Sequence, residues 1–214
     1  ETGVGMSDQQ LFDEIITLFY AGHETTTQTL IWTWYLLAQH SDVREKLHRE
    51  VDEKLNGKIV ELTDLPNLPY SLMVLKESMR YLPAICGIGR RTIKDDDIDG
   101  YHIPADSEIV IPICQMHRHP KYWTNPDLFN PERFLDKDLE KKNRWVYLPF
   151  GGGPRQCIGN NFALLETQII VSMIVRKFKL SMLPTDEVRL NLSKIPILRP
   201  EKSFLMRIKS RNMD

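Results

Sequence analysis

The residues best suited to chemistry are gathered in the run Phe150-Gly151-Gly152-Gly153-Pro154-Arg155-Gln156-Cys157-Ile158-Gly159. Cys157 follows a glycine run and opens a helical stretch expected from Ile158 to about Lys177. Both neighbours favour a thiolate. Unpaired N–H groups and the helix dipole at an N-terminus stabilise an anion, and glycines let the backbone approach sulfur without Cβ obstruction. A flat cofactor could lie against such a loop, and a soft anionic sulfur suits iron in haem, where it raises electron density for O–O cleavage. Two plainer readings compete. A phosphate-cradling glycine loop lacks here the Lys-Ser or Lys-Thr that should follow the glycines. An inert buried cysteine has no need of three glycines before it and another at Gly159.

Two further groups stand out. Ala21-Gly22-His23-Glu24-Thr25-Thr26 breaks a good helical pattern with a glycine, at about 1 kcal/mol relative to Ala, and with threonines whose hydroxyls can take a carbonyl four residues back. Taken alone this is a packing kink. Glu77 and Arg80 share a helix face and can pair, although most such pairs are weak surface contacts. His23 is not read as a metal ligand. The remaining histidines show no zinc spacing, and His117 and His119 read as surface or helix-end residues in a turn.

Elements to position these groups follow from periodicity. Ser7 with Gln10 forms a capping box, and the stripe Leu11, Ile15, Leu18, Phe19, Leu30, Trp34 and Leu37 carries one long helix to about Gln39. A second helix runs from Ser41-Asp42 to Gly57 with Val43, Leu47, Val51 and Leu55 inward, and a third starts at Pro69 and stops before Pro83. Strand-like runs Ile88 to Ile93 and Glu108 to Ile113 flank turns at Asp99-Gly100 and Pro104. The stretch from His117 to Pro154 is long and irregular, which marks a functional loop or a wrong assignment. The helix after the cysteine loop is expected to be buried through Phe162, Leu165, Ile169, Ile170 and Ile174, with short strands from Phe178 onward.

Composition narrows the function. The chain has 214 residues, 42% hydrophobic and 27% charged, with formal net charge -1, so it is globular and carries no sequence-wide signal for nucleic acid. Cys86, Cys114 and Cys157 are too few for a disulfide framework or a zinc site, and a reducing compartment is expected. No signal peptide or membrane helix is visible. The chain opens with Glu1 rather than Met, as if it began partway through a larger protein.

The cysteine run resembles the cytochrome P-450 family of haem-thiolate enzymes, whose pattern Phe-x-x-Gly-x-Arg-x-Cys-x-Gly is met by Phe150, Gly153, Arg155, Cys157 and Gly159, with Ala163 and Glu166 continuing in the family manner. The resemblance implies a mainly α fold with small β-sheets (α+β), residues 1–214 forming the C-terminal portion of a single catalytic domain, incomplete at its N-terminal side. It implies haem b with Cys157 as iron ligand, Phe150 packed against the haem, and Arg155 paired with a propionate. The resemblance also implies Arg90 as a further propionate cation, with Arg91 beside it leaving the register open. For the family's oxygen-binding groove, the resemblance implies that Gly22 makes room for dioxygen and that Glu24 with Thr25 forms the acid-alcohol pair that relays protons. Arg133, in Pro131-Glu132-Arg133-Phe134, joins Glu77 and Arg80 in a structural network.

The implied reaction inserts one atom of dioxygen into an apolar organic substrate, with electrons from a ferredoxin, flavodoxin or flavoprotein reductase. Lys137, Lys141, Lys142 and Arg144 offer that partner a basic surface, or are simply a solvated loop with Asp138 and Glu140 interspersed. Substrate contacts are expected near Phe19 to Gly22, Ala84 to Ile88 and Ile195 to Ile197. The expected location is the cytoplasmic side, soluble or anchored through a preceding segment, and the polypeptide alone is expected to bind haem poorly. A haem-binding protein without turnover and an inactive truncated product are the alternatives.

Overall fold

The computed structural model of the chain describes residues 5–136, 139–142, 144–183, 188–191, 193 and 195–211. Helix α1 spans Asp8–Gln39 and is capped as its sequence requires: the Ser7 side chain accepts from Gln10 N–H and the Gln10 side chain accepts from Ser7 N–H. Helical structure runs unbroken past Gly22. Helix α2 (Ser41–Leu55) turns its apolar face inward, leaving Val43, Leu47, Val51 and Leu55 buried, each worth about 1.5–3 kcal/mol. It ends just before the expected Gly57, since Asn56 and Gly57 both take positive φ, 45 and 78, and close the helix.

A tightly wound stretch at Leu62–Asn67 leads into helix α3 (Pro69–Tyr81), with proline in its first turn. Strand β1 (Ile88–Arg91) pairs antiparallel with β4 (Glu108–Ile111), and between them β2 (Asp96–Ile98) and β3 (Tyr101–Ile103) make a hairpin. Its turn at Asp99 and Gly100 has positive φ at both residues, which the Asp-Gly pair tolerates. The one-turn helix α4 (Ile113–Met116) precedes the irregular stretch, which holds a second one-turn helix, α5 (Leu139–Lys142), and a tight turn at Pro131–Leu135 that packs on α3. Helix α6 (Asn160–Lys177) is followed by β5 (Phe178–Met182), β6 (Leu190–Asn191), β7 (Arg199–Pro200) and β8 (Met206–Ser210), paired β5 with β8 and β6 with β7. The fold is thus mainly α with small antiparallel sheets.

One core cluster joins the C-terminal half of α1, α2, α3 and the middle of α6, around Trp32, Leu36, Leu47, Val74, Leu75 and Val171. Two expected stripes lie in it only in part, through Leu30, Trp34 and Leu37 of α1 and Ile169 of α6. Leu11, Ile15, Leu18 and Phe19 of α1 are exposed, since the elements packed on this helix reach its C-terminal half. On α6, Phe162 and Leu165 are exposed and the buried positions are Thr167, Gln168, Val171, Ser172 and Val175. Gln168 belongs inside because its Nε2 donates to the Leu68 carbonyl at 3.0 Å and to Ser71 Oγ at 2.9 Å. A satisfied amide is tolerated in a core.

Candidate functional site

Helix α6 begins at Asn160, so Cys157 stands in the loop ahead of it rather than in its first turn. The loop is folded by its own backbone: Cys157 N–H donates to the Phe150 carbonyl at 2.9 Å and Gln156 N–H to Gly153 at 3.0 Å. The glycines are required for two reasons. Gly151 and Gly153 have φ of 71 and 70, while a Cβ on Gly152 would lie 3.3 Å from the Trp145 ring. A Cβ on Gly159 would lie 3.9 Å from Cys157 Sγ. The result is an exposed thiol presented by a rigidly specified turn.

That thiol borders a cleft of about 1100 Å³. Its walls come from α1 (Leu18, Ala21, Gly22, Thr25, Thr26), from Ala84, Ile85 and β1, and from the cysteine loop and the start of α6, including Phe150 and Phe162. The lining is mostly apolar, with three guanidiniums, Arg90, Arg91 and Arg155, among it. Arg91 pairs with Asp106 at 3.0 Å, whereas Arg90 donates to the Gly89 carbonyl and pairs with no carboxylate among the described residues. Arg155 is exposed. An apolar slot with a free thiol on its wall and cations beside it has the donor set that a haem requires: a soft axial ligand, apolar faces and counterions for propionates. The residues present therefore fit the group. Among the described residues, no cluster of three His, Cys, Asp or Glu side chains offers a separate metal site.

The acid and the alcohol of α1 part company. Thr25 borders the cleft, and its Oγ1 donates to the Ala21 carbonyl at 2.7 Å. Glu24 does not border it. Its Oε1 lies 3.0 Å from Arg199 Nη2 and accepts from Gln28 Nε2 at 3.0 Å. Gly22 borders the cleft, but an added Cβ there would meet no protein atom within 4 Å, so nothing in the chain itself demands glycine. His23 stacks on Phe19, centroids 5.8 Å apart, and both are exposed away from the cleft lining. Of the expected substrate contacts, Ala21, Gly22, Ala84, Ile85 and Ile88 line the cleft, whereas Phe19 and the Ile195 to Ile197 turn do not. That turn acts from behind, the Pro196 carbonyl accepting from Cys86 N–H at 2.9 Å.

Beneath the loop, Glu77, Arg80 and Arg133 meet. Arg80 donates through Nε to Glu77 Oε2 at 2.7 Å and through Nη2 to Oε1 at 2.9 Å, and Arg133 Nε reaches Oε1 at 3.0 Å. Glu77 and Arg80 are fully buried. Arg80 also donates to the His117 carbonyl at 2.9 Å. His117, read from the sequence as a surface or helix-end residue, stands at the C-terminal cap of α4 but is fully buried, and its Nε2 accepts from Leu148 N–H at 2.8 Å, two residues before Phe150. Burial lowers its pKa to about 4, so it stays neutral and can accept. Sequence reasoning missed this residue because its partner lies far along the chain. Of the expected basic surface, Lys141 and Arg144 are exposed, while Lys137, Asp138 and the side chains of Glu140 and Lys142 lie outside the described residues.

The sequence model of a family described as Cytochrome P450 matches residues 1–208. Cytochrome P450 3A13 of Mus musculus is 37% identical, over 99% of this chain and 42% of its own length. Cytochrome P450 3A6 of Oryctolagus cuniculus is 36% identical over 97% and 42%. Cyclooctatin synthase of Streptomyces melanosporofaciens is 36% identical over 88% and 41%. The chain thus spans about 42% of the length of the first of these relatives.

Proposed function

Because the chain belongs to the cytochrome P450 family, we propose that it forms the thiolate side and part of the oxygen groove of a haem monooxygenase acting on an apolar organic substrate. The observation that carries this is the exposed Cys157 thiol and the Thr25 hydroxyl bordering one apolar cleft. Cys157 would hold the iron of haem b, Phe150 would pack beside the sulfur, and Arg155 and Arg90 would neutralise propionates. Bound haem supplies reductive activation of dioxygen, which thiolate ligation favours. Electrons would come from a ferredoxin, flavodoxin or flavoprotein reductase.

The rest is done by side chains. Leu18, Ala84, Ile85 and Ile88 keep the cleft apolar and thereby hold an apolar substrate and exclude water. Thr25 Oγ1, whose own proton rests on the Ala21 carbonyl, keeps lone pairs free to accept a proton and can pass one into the cleft. Glu24 would supply that proton. Glu77, Arg80 and Arg133 hold the irregular stretch under the loop and take no part in the reaction.

A reduced carbon monoxide difference spectrum of the haem-loaded protein tests the ligand: the parent gives the red-shifted thiolate band, and Cys157→Ser abolishes it. An unchanged band in Cys157→Ser would remove the reading. The position of Glu24 against Arg199 favours a second reading, a haem-binding protein without turnover. Thr25→Ala separates the two. The monooxygenase then releases more peroxide and less product per electron consumed, whereas a carrier shows no difference.

A further inference from the structure

Glu24 is tied to a residue from the far end of the chain. Arg199, at the start of β7, places Nη2 3.0 Å from Glu24 Oε1, the oxygen that also accepts from Gln28 Nε2. The guanidinium is delivered by an anchored backbone, since Trp32 Nε1, fully buried two turns further along α1, donates to the Leu198 carbonyl at 2.8 Å. Successive residues leave a helix in different directions, and here Thr25 enters the cleft while Glu24 is drawn to the strand.

Two carboxylates of this chain are built differently. Both oxygens of Glu77 are held, Oε1 by Arg80, Arg133 and the Asn130 N–H, and Oε2 by Arg80. Around Glu24 the partners are themselves incompletely satisfied: Gln28 Oε1 and Arg199 Nε are buried with no hydrogen-bond partner. A saturated buried network is rigid, and one with orphaned atoms has rearrangements close in free energy. The Glu24 and Arg199 side chains are also 26% and 40% exposed, so solvent screening keeps their attraction weak enough to open.

We propose that Arg199 is a positioning residue for Glu24: the ion pair parks the carboxylate on the β7 side of α1, and its opening frees that carboxylate to reach Thr25 and reload the cleft with protons. This rests on the relay reading above. The step moves protons only. The Glu24 carboxyl proton passes to Thr25 Oγ1 as the Thr25 hydroxyl proton passes into the cleft, the carboxylate returns to Arg199, and solvent hydronium reprotonates it.

The test uses the haem-loaded protein with a chemical reductant as electron source, read by the solvent deuterium isotope effect on oxygen consumption and by the peroxide released per electron. Arg199→Gln removes the restraint, so proton delivery is faster by about fivefold, the population factor such a pair commands, and the isotope effect falls. Arg199→Lys keeps the charge without the fork and gives an intermediate value, which also serves if Arg199→Gln does not load haem. Independently of turnover, urea unfolding shows Arg199→Gln costing stability in the parent and nothing in a Glu24→Gln background. Parent-like isotope effects in both Arg199 variants, beside an altered one in Glu24→Gln, would overturn the proposal, as would additive stabilities in the cycle. If Glu24→Gln and Thr25→Ala both match the parent, the relay reading fails and this proposal falls with it.

Discussion

The three thiols of the chain sit in unlike surroundings, and this has consequences that do not depend on haem. Cys157 is exposed on the cleft wall, whereas Cys86 and Cys114 are half-buried neighbours, Cys114 N–H donating to the Cys86 carbonyl at 3.2 Å. Burial, with the neighbouring Cys86, pushes Cys114 up to about 12, so its thiolate is scarce at neutral pH and above it. Iodoacetamide at mildly alkaline pH should therefore label Cys157 first and Cys114 more than about a hundredfold more slowly, until denaturant is added. Peptide mass mapping over time checks the order, and haem loading should protect Cys157 alone. Comparable labelling of Cys114 in the native chain would contradict its packing. Cys157 was legible because its environment is local in sequence, a run of glycines on one side and a helix on the other. His117 and Arg199 were not, because what defines them, Leu148 N–H and Glu24, lies 31 and 175 residues away.

At the scale of elements, α3 and the turn at Pro131–Leu135 are joined through the Glu77 carboxylate. The sequence placed Glu77 and Arg80 on one face, and the family pattern supplied Arg133, yet only the fold reveals that Glu77 is fully buried and that Arg133 also caps the carbonyls of Thr124 and Leu128. Removing one member strands the others' charges. Glu77→Ala should therefore destabilise the chain by about 3–5 kcal/mol. Glu132→Ala, which removes the half-exposed partner of Lys46 in the same turn, should cost less than about 1 kcal/mol. Urea midpoints of the two variants check the contrast, and equal losses would mean that burial at Glu77 is not what matters. Helix α6 shows the limit of periodicity. Its apolar residues outnumber the positions its neighbours can bury, and which face goes inward is settled by Gln168 finding the Leu68 carbonyl and Ser71, a match that no hydrophobic pattern contains.

For the molecule as a whole, the long helix links a packed half to an exposed one, and the core that resists unfolding is confined to one end. Two histidines inside that packed half set its response to acid. Burial lowers His117 to about 4, assisted by the Arg80 charge and opposed by the backbone of Met79 and Arg80, which favours the protonated ring. Burial likewise lowers His48 to about 4, assisted by the Arg211 and Arg44 charges and opposed by Asp52. In the unfolded chain both titrate near the ordinary value of 6.5. Between these values the unfolded state binds protons that the folded state does not, so stability is full above about pH 6.5 and is lost progressively as pH falls through about 4. For fully buried His117 the loss is about 3 kcal/mol, and His48, closer to solvent, contributes less. Protonation of His117 at Nε2 also removes the acceptor for Leu148 N–H, so acid should loosen the cysteine loop in step with the core. Urea unfolding from pH 7 to pH 4 measures the slope, and His117→Gln, which keeps an acceptor for Leu148 without a titrating ring, should flatten it. A slope unchanged in His117→Gln would assign the acid sensitivity to other groups and leave His117 a purely steric element of the fold.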